Sequence, residues 1–198
     1  MDSLFQNALT FFLVTNPIGN SPTILALVKE FSFKDQKRII LREALFSLIV
    51  ALCFQYLGEI FISSLKMDTY AVTMTGGILL FLVSLQMIFA ISKQNETTTA
   101  LKQEPFIVPI ATPLLSGPGL LTIIMMKSQL EQNNLRITLS ILIAWIGVFA
   151  VMAAAPYIQR LLGRRGMLAL EQFMGLLLAI ISMGMIVKGV NLFLDTLG

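Results

Sequence analysis

Two long apolar stretches of this chain are interrupted halfway along, once in each half of the sequence. The first interruption is Asn16-Pro17-Ile18-Gly19-Asn20-Ser21-Pro22 and the second is Ser116-Gly117-Pro118-Gly119. Each begins roughly 12 or 13 residues into its stretch, which at about 1.5 Å per residue is halfway across a bilayer. Hydrocarbon offers no partner to a freed backbone N–H or C=O. Broken helix at that depth therefore survives only where it is buried in protein or lines a wet cavity. A matched pair of interrupted segments in corresponding positions is the sequence mark of a transporter binding site.

The rest of the composition agrees with a membrane setting. Apolar residues make up 56% of the chain and charged residues 13%, against roughly 25% charged in soluble domains. Six membrane segments are expected, at 3–29, 39–64, 69–91, 105–127, 136–161 and 169–193. The polar stretch 92–104 reads as a linker, dividing the chain into repeat one (1–91) and repeat two (105–198). The first stretch follows Asp2 without a basic n-region and continues past its break, so a cleavable signal peptide is not expected. The absence of histidine and the single Cys53 exclude a Cys/His metal site and an internal disulfide. Cys53 itself is expected to be an inert packing residue. No nucleophile–base pair, phosphate loop or acidic dyad is visible, so no enzyme and no cofactor are expected.

Basic residues fall between spans and not in a nucleic-acid-binding cluster. Lys29, Lys34, Lys37, Arg38, Arg42, Lys93, Lys102, Arg160, Arg164 and Arg165 share one side of the six-span arrangement. The other side has Lys66, Lys127, Arg136 and Lys188. The positive-inside rule places the first group in the cytoplasm and both termini outside it.

The halves also resemble each other. A shift of 98 lays Gly77 on Gly175, Leu80 on Leu178, Ser84 on Ser182, Met87 on Met185 and Ile88 on Ile186. A shift of 101 lays Pro17 on Pro118. Units of three spans must be inverted relative to each other. The fold expected is therefore all-α, with six transmembrane helices as two inverted three-helix repeats and helices 1 and 4 discontinuous.

Proline at the first turn of a helix costs little, because that N–H is unpaired anyway. Ser21-Pro22, with Ser21 as N-cap, and Gly117-Pro118 thus read as two half-helix starts near the midplane. Two other half-helices end near Thr15 and Leu115. Helix amino termini attract a carboxylate, and freed carbonyls attract an ammonium group. Thr15, Asn16, Gly19, Asn20, Ser21, Ser116, Gly117 and Gly119 form the expected binding region. They place no formal charge there, which suits a small zwitterion. The alternative reading is a pair of packed kinks, satisfied by neighbouring helices. Ser84 and Ser182 are candidate cavity-lining residues or small packing residues. Gly76, Gly77 and Gly175 read as packing positions, and Gln55 either faces the cavity or bonds between helices. Glu43 and Glu171 are candidate proton relays, although their positions near the cytoplasmic ends of their spans suit an ion pair or snorkelling better. The sequence leaves open whether Trp145 faces lipid or cavity.

The break motifs, together with Glu104-Pro105-Phe106-Ile107-Val108-Pro109, Pro113, Leu41-Arg42-Glu43, Gly76-Gly77-Ile78, Ala169-Leu170-Glu171 and Met174-Gly175, resemble the MarC family along the whole chain. That resemblance implies an inner-membrane protein of two inverted repeats, related to amino-acid exporters. One branch resembles a proton-linked carrier of glycine and alanine. The expected function is a secondary transporter of small neutral amino acids, working by alternating access about a midplane site with the proton as coupling ion. A channel or exporter for other small polar solutes is the alternative, and a non-transporting scaffold a third reading. Oligomeric state is not legible.

Overall fold

The computed structural model describes residues 4–29, 31–64, 68–89, 115–131 and 133–196; the side chains of residues 59, 61–63, 130 and 164 are not part of that description. The proposed linker 92–104 and the first half of the expected fourth span lie outside the described residues. Among those described there is helix and no strand. The helices are α1 (Leu4–Thr15), α2 (Pro17–Leu27), α3 (Phe33–Ser64), α4 (Thr69–Ile88) and α5 (Pro118–Leu130). The helical run Asn134–Leu194 is divided at Gly163, whose φ of 62° and ψ of −176° no helix contains. We treat its two parts as α6 (Asn134–Gly163) and α7 (Arg165–Leu194). Only glycine adopts that backbone without strain, so it is the residue at the reversal between the two long helices.

Among the described residues, α3 over Phe33–Gly58, α4, α6 and α7 are long and apolar enough to cross a membrane, with mean hydropathy from 1.7 to 2.4. The sequence suggests six spans, and four of this length are found among the described residues. Of the expected spans, the first is cut into 12-residue α1 and 11-residue α2, each too short to cross alone. The described part of the fourth is the 13-residue α5. Between 33% and 39% of each spanning window is buried within the protein. The outward faces carry large apolar side chains, among them Phe5, Leu45, Ile49, Leu82, Ile146, Phe173 and Ile180. A continuous apolar exterior of this kind is suited to lipid, not water. Cys53, expected to pack inside, is exposed on that exterior.

Cross-links at the helix ends fix the antiparallel order. At one end, Ser140 Oγ donates to the Leu4 carbonyl at 3.1 Å and Gln55 Nε2 to the Asn134 carbonyl at 2.9 Å. Gln55 is thus an interhelical bond, not a cavity residue. At the opposite end, Lys37 Nζ bonds the Tyr157 hydroxyl at 2.6 Å and lies over the Phe33 ring. The interior is a cluster that includes Phe11, Ile24, Ile40, Leu115, Ile123, Ile141 and Trp145. Trp145 is 1% exposed, and its Nε1 donates to the Ala44 carbonyl at 3.0 Å. It faces α3, inside the protein.

The α4–α7 contact is reciprocal. A Cβ at Gly77 would lie 2.8 Å from Ile186 Cγ1 and 3.0 Å from the Ile186 backbone nitrogen. A Cβ at Gly175 would lie 3.1 Å from Ile88 Cγ1 and 3.2 Å from the Ile88 nitrogen. Gly77 and Gly175 are equivalent under the 98-residue shift, and so are Ile88 and Ile186. Two equivalent helices crossing antiparallel about a two-fold axis make such a pair of contacts. Gly189 meets Met74 in the same seam. These are the close approaches that small residues permit where no hydrophobic effect drives helices together.

Substitution of Gly77 by alanine should therefore lower the apparent melting temperature in detergent, because the obstructing atoms include backbone that cannot move aside; overpacking of this kind costs about 1–3 kcal/mol. At Gly184 a Cβ would meet no atom within 4 Å. Gly184→Ala should leave the melting temperature unchanged or raise it, as helix propensity alone favours alanine by about 1 kcal/mol. Equal effects at the two positions would contradict the seam.

Candidate functional site: two helix breaks of unequal chemistry

The first break is one residue wide. Asn16 adopts φ 48° and ψ 53°, the left-handed conformation that asparagine tolerates better than most residues. Helix α2 then starts at Pro17, not at Ser21-Pro22 as the sequence suggests. The Asn16 side chain is the N-cap: Oδ1 accepts from the Gly19 N–H at 3.1 Å, and Nδ2 contacts Met87 Sδ at 3.2 Å. Asn20 Nδ2 donates to the Thr15 carbonyl at 3.1 Å, so the carbonyl expected to receive an ammonium group already has a donor. Thr15 Oγ1 donates to the Phe11 carbonyl at 2.7 Å. Pro22 lies inside α2. Its missing N–H would have paired with the Ile18 carbonyl, and Ser21 Oγ donates to that carbonyl instead at 2.7 Å. Ser21 is therefore a repair of the proline position, not an N-cap. Gly19 is required because a Cβ would lie 2.4 Å from Asn16 Nδ2 and 2.5 Å from Met87 Cε.

The second break differs. Gly117 is the N-cap of α5 with extended backbone (φ −66°, ψ 161°), Pro118 is the first helical residue, and no side chain caps the turn. Asn16-Pro17 and Gly117-Pro118 are equivalent under the 101-residue shift, yet only the first has a capping side chain. Gly119 packs on α4, with Leu80 Cδ1 3.0 Å from a Cβ position. Ser116 Oγ donates to the Ser47 carbonyl at 2.8 Å, which fixes α3 against this break.

Along α3 beside the second break lies a buried polar face that hydropathy does not mark. Glu43 sits one turn before Ser47 and is 0% exposed. Arg42 Nη2 pairs with Glu43 Oε1 at 3.1 Å, while Glu43 Oε2 and the Ser47 hydroxyl, both buried, have no hydrogen-bond partner. Sequence reasoning misses Ser47, since one serine in an apolar span carries no signal until its neighbours are known. Asn7 is likewise buried with both amide atoms unpartnered. Arg42 also lines a cleft of about 490 Å³ with Phe31, Asp35, Arg38 and Ile39.

The other candidates are distributed as follows. Ser84 and Ser182 are fully buried, with hydroxyls donating to the Phe81 and Ala179 carbonyls at 2.7 and 2.8 Å. Their equivalent geometry matches the repeat, and it commits both hydroxyls to their own helices. Glu171 lies half-buried one turn before Gly175, whose Cβ position meets Met87, the residue contacted by Asn16. Each carboxylate thus stands about one helical turn from a residue that touches a break or its immediate neighbour.

A bundle of antiparallel apolar helices with an apolar exterior suited to lipid and a set of buried polar groups inside defines a polytopic integral membrane protein. The chain belongs to the MarC family: the model of the MarC family integral membrane proteins matches residues 1–194. It is 33% identical over 195 residues to UPF0056 inner membrane protein YhgN of Escherichia coli (strain K12), covering 98% of this chain and 99% of that protein. A UPF0056 membrane protein of Chlamydia muridarum is 34% identical over 193 residues, covering 96% and 94%. No solved structure matches.

The account of the first break yields a double-mutant test. Ser21→Ala should destabilise the protein by about 1 kcal/mol, because it strips the donor from a partly buried carbonyl. In a Pro22→Ala background, where the backbone N–H returns, the same change should cost little. Chemical denaturation of the four variants in detergent measures this, and additive effects would contradict the repair role.

Proposed function

We propose that this protein is a secondary transporter of small neutral amino acids such as glycine or alanine, working by alternating access about the breaks. The observation that carries the reading is the uncapped amino terminus of α5. The equivalent helix start is satisfied internally by Asn16, whereas Gly117 offers no side chain to the first-turn amides of α5. Those amides, with the positive end of the helix dipole, suit a carboxylate. Unpartnered acceptor oxygens on α3, at Ser47 beside the Ser116 contact and at Glu43 one turn away, supply the complementary chemistry.

The transport cycle is inferred from the repeats. The reciprocal Gly77–Ile186 and Gly175–Ile88 contacts support two inverted three-helix units, with helices 1 and 4 broken at equivalent prolines. Rocking of one unit against the other would expose the site first to one side and then to the other. The charge asymmetry of the sequence orients the Phe33 and Tyr157 end towards the cytoplasm, with both termini outside. The proton is proposed as coupling ion, with Glu43 and Glu171 as the carboxyl groups placed to carry it. The ligand is a small zwitterion, and the setting is the bacterial inner membrane.

Counterflow separates a carrier from a pore. Liposomes containing the purified protein and loaded with unlabelled glycine should accumulate labelled glycine from outside faster than unloaded liposomes, and uptake should saturate. Equal uptake in loaded and unloaded liposomes would indicate a pore, and no uptake of glycine or alanine would overturn the assignment.

A further inference from the structure

The unused chemistry of the interior lies on α3. Glu43 and Ser47 are separated by four residues, so their side chains are neighbours on one helix face. Both are 0% exposed. Of the Glu43 carboxylate, Oε1 is held by Arg42, with Nε and Nη2 both at 3.1 Å. Oε2 has no partner, and neither does Ser47 Oγ. The nearby donors are directed elsewhere: the Ser116 hydroxyl donates to the Ser47 carbonyl and the Trp145 indole to the Ala44 carbonyl. Oε2 and Ser47 Oγ are the positions on this face that no protein donor fills, the buried Arg42 Nη2 being turned to Oε1. A buried acceptor left unsatisfied is costly, and its persistence in a packed interior points to a group that arrives from outside the chain.

We propose that Glu43 Oε2 and Ser47 Oγ are the receptor for the ammonium group of the transported solute, an inference that rests on the transport reading above. A primary ammonium carries three donors on a compact head. It can donate to a carboxylate oxygen and a hydroxyl oxygen one helical turn apart at the same time. The Ser116–Ser47 bond joins this face to the α5 amino terminus. Acceptors for an ammonium and donors for a carboxylate are thereby placed on adjoining backbone, which matches the two ends of an α-amino acid. Arg42 holds the carboxylate by its other oxygen and keeps Oε2 available. Arg42, the partner of Oε1, also lines the cleft with Arg38 and Asp35. The assignment replaces the Thr15 carbonyl, which Asn20 occupies, as the cation-binding element.

The test is titration of the detergent-solubilised protein with glycine and with methylamine, read as binding affinity and as ligand-dependent thermal shift. Ser47→Ala removes a hydroxyl that makes no hydrogen bond, so the ligand-free melting temperature should stay the same or rise while glycine and methylamine affinities fall several-fold. Glu43→Gln should weaken both ligands by about tenfold or more, since a charge-assisted hydrogen bond is lost. Should Glu43→Gln fail to fold, because it strands Arg42, the Ser47→Ala titration decides alone. Glycine and methylamine binding at wild-type affinity in Ser47→Ala would overturn the proposal, as would a Glu43→Gln protein that loses only the pH dependence of glycine binding. Methylamine binding that requires Ser47, in a protein that ignores glycine, would sustain the ammonium receptor and refute the amino-acid reading. If the wild type binds neither ligand, both fall.

Discussion

In a bilayer, every backbone N–H and C=O must find a partner inside the protein, and this structure is arranged around the places where helices cannot provide one. At the first break the chain solves the problem with its own side chains. Asn16 turns the backbone through a left-handed residue and caps the next helix, Asn20 covers the Thr15 carbonyl, and Ser21 covers the carbonyl that Pro22 orphans. At the second break the equivalent cap is a glycine. One break is a closed structural joint, whereas at the other the N-cap residue forms no side-chain cap. That difference, not the presence of two breaks, localises the candidate site.

Helix α4 connects the two breaks. Its Met87 meets the Asn16 amide, and its Leu80 packs on Gly119. The same helix crosses α7 through glycine contacts that are reciprocal under the repeat. Packing this close, against backbone atoms, leaves α4 and α7 little room to slide independently. A movement at one break would reach the other through this stiff element, as the proposed alternating exposure of a central site requires.

The membrane class, the pairing of the breaks and the equivalence of α4 with α7 are all legible in sequence, because each is written in periodic or repeated apolar pattern. The positions of the helix starts are legible at Gly117-Pro118 but not at Ser21-Pro22. Two prolines lie close together there, and the choice between them depends on whether Asn16 can adopt a left-handed backbone and cap α2. The burial of Glu43 is hidden for a different reason: hydropathy reports only its place along the span, and packing alone shows that its side chain is enclosed by protein. Ser47 is invisible in sequence, since its significance is an absence of hydrogen-bond partners that only three-dimensional packing reveals.

The central claim is that the polar face beside the second break is a solute site that opens to water. Accessibility of Ser47 tests it most directly. In a Cys53→Ser background, which removes the sole native cysteine, Ser47→Cys would be reacted with a small maleimide in membrane vesicles, with and without glycine. The account predicts that the buried thiol is labelled as the protein cycles and that glycine slows the labelling. A folded protein whose thiol never reacts, or reacts at a rate glycine does not change, would contradict it.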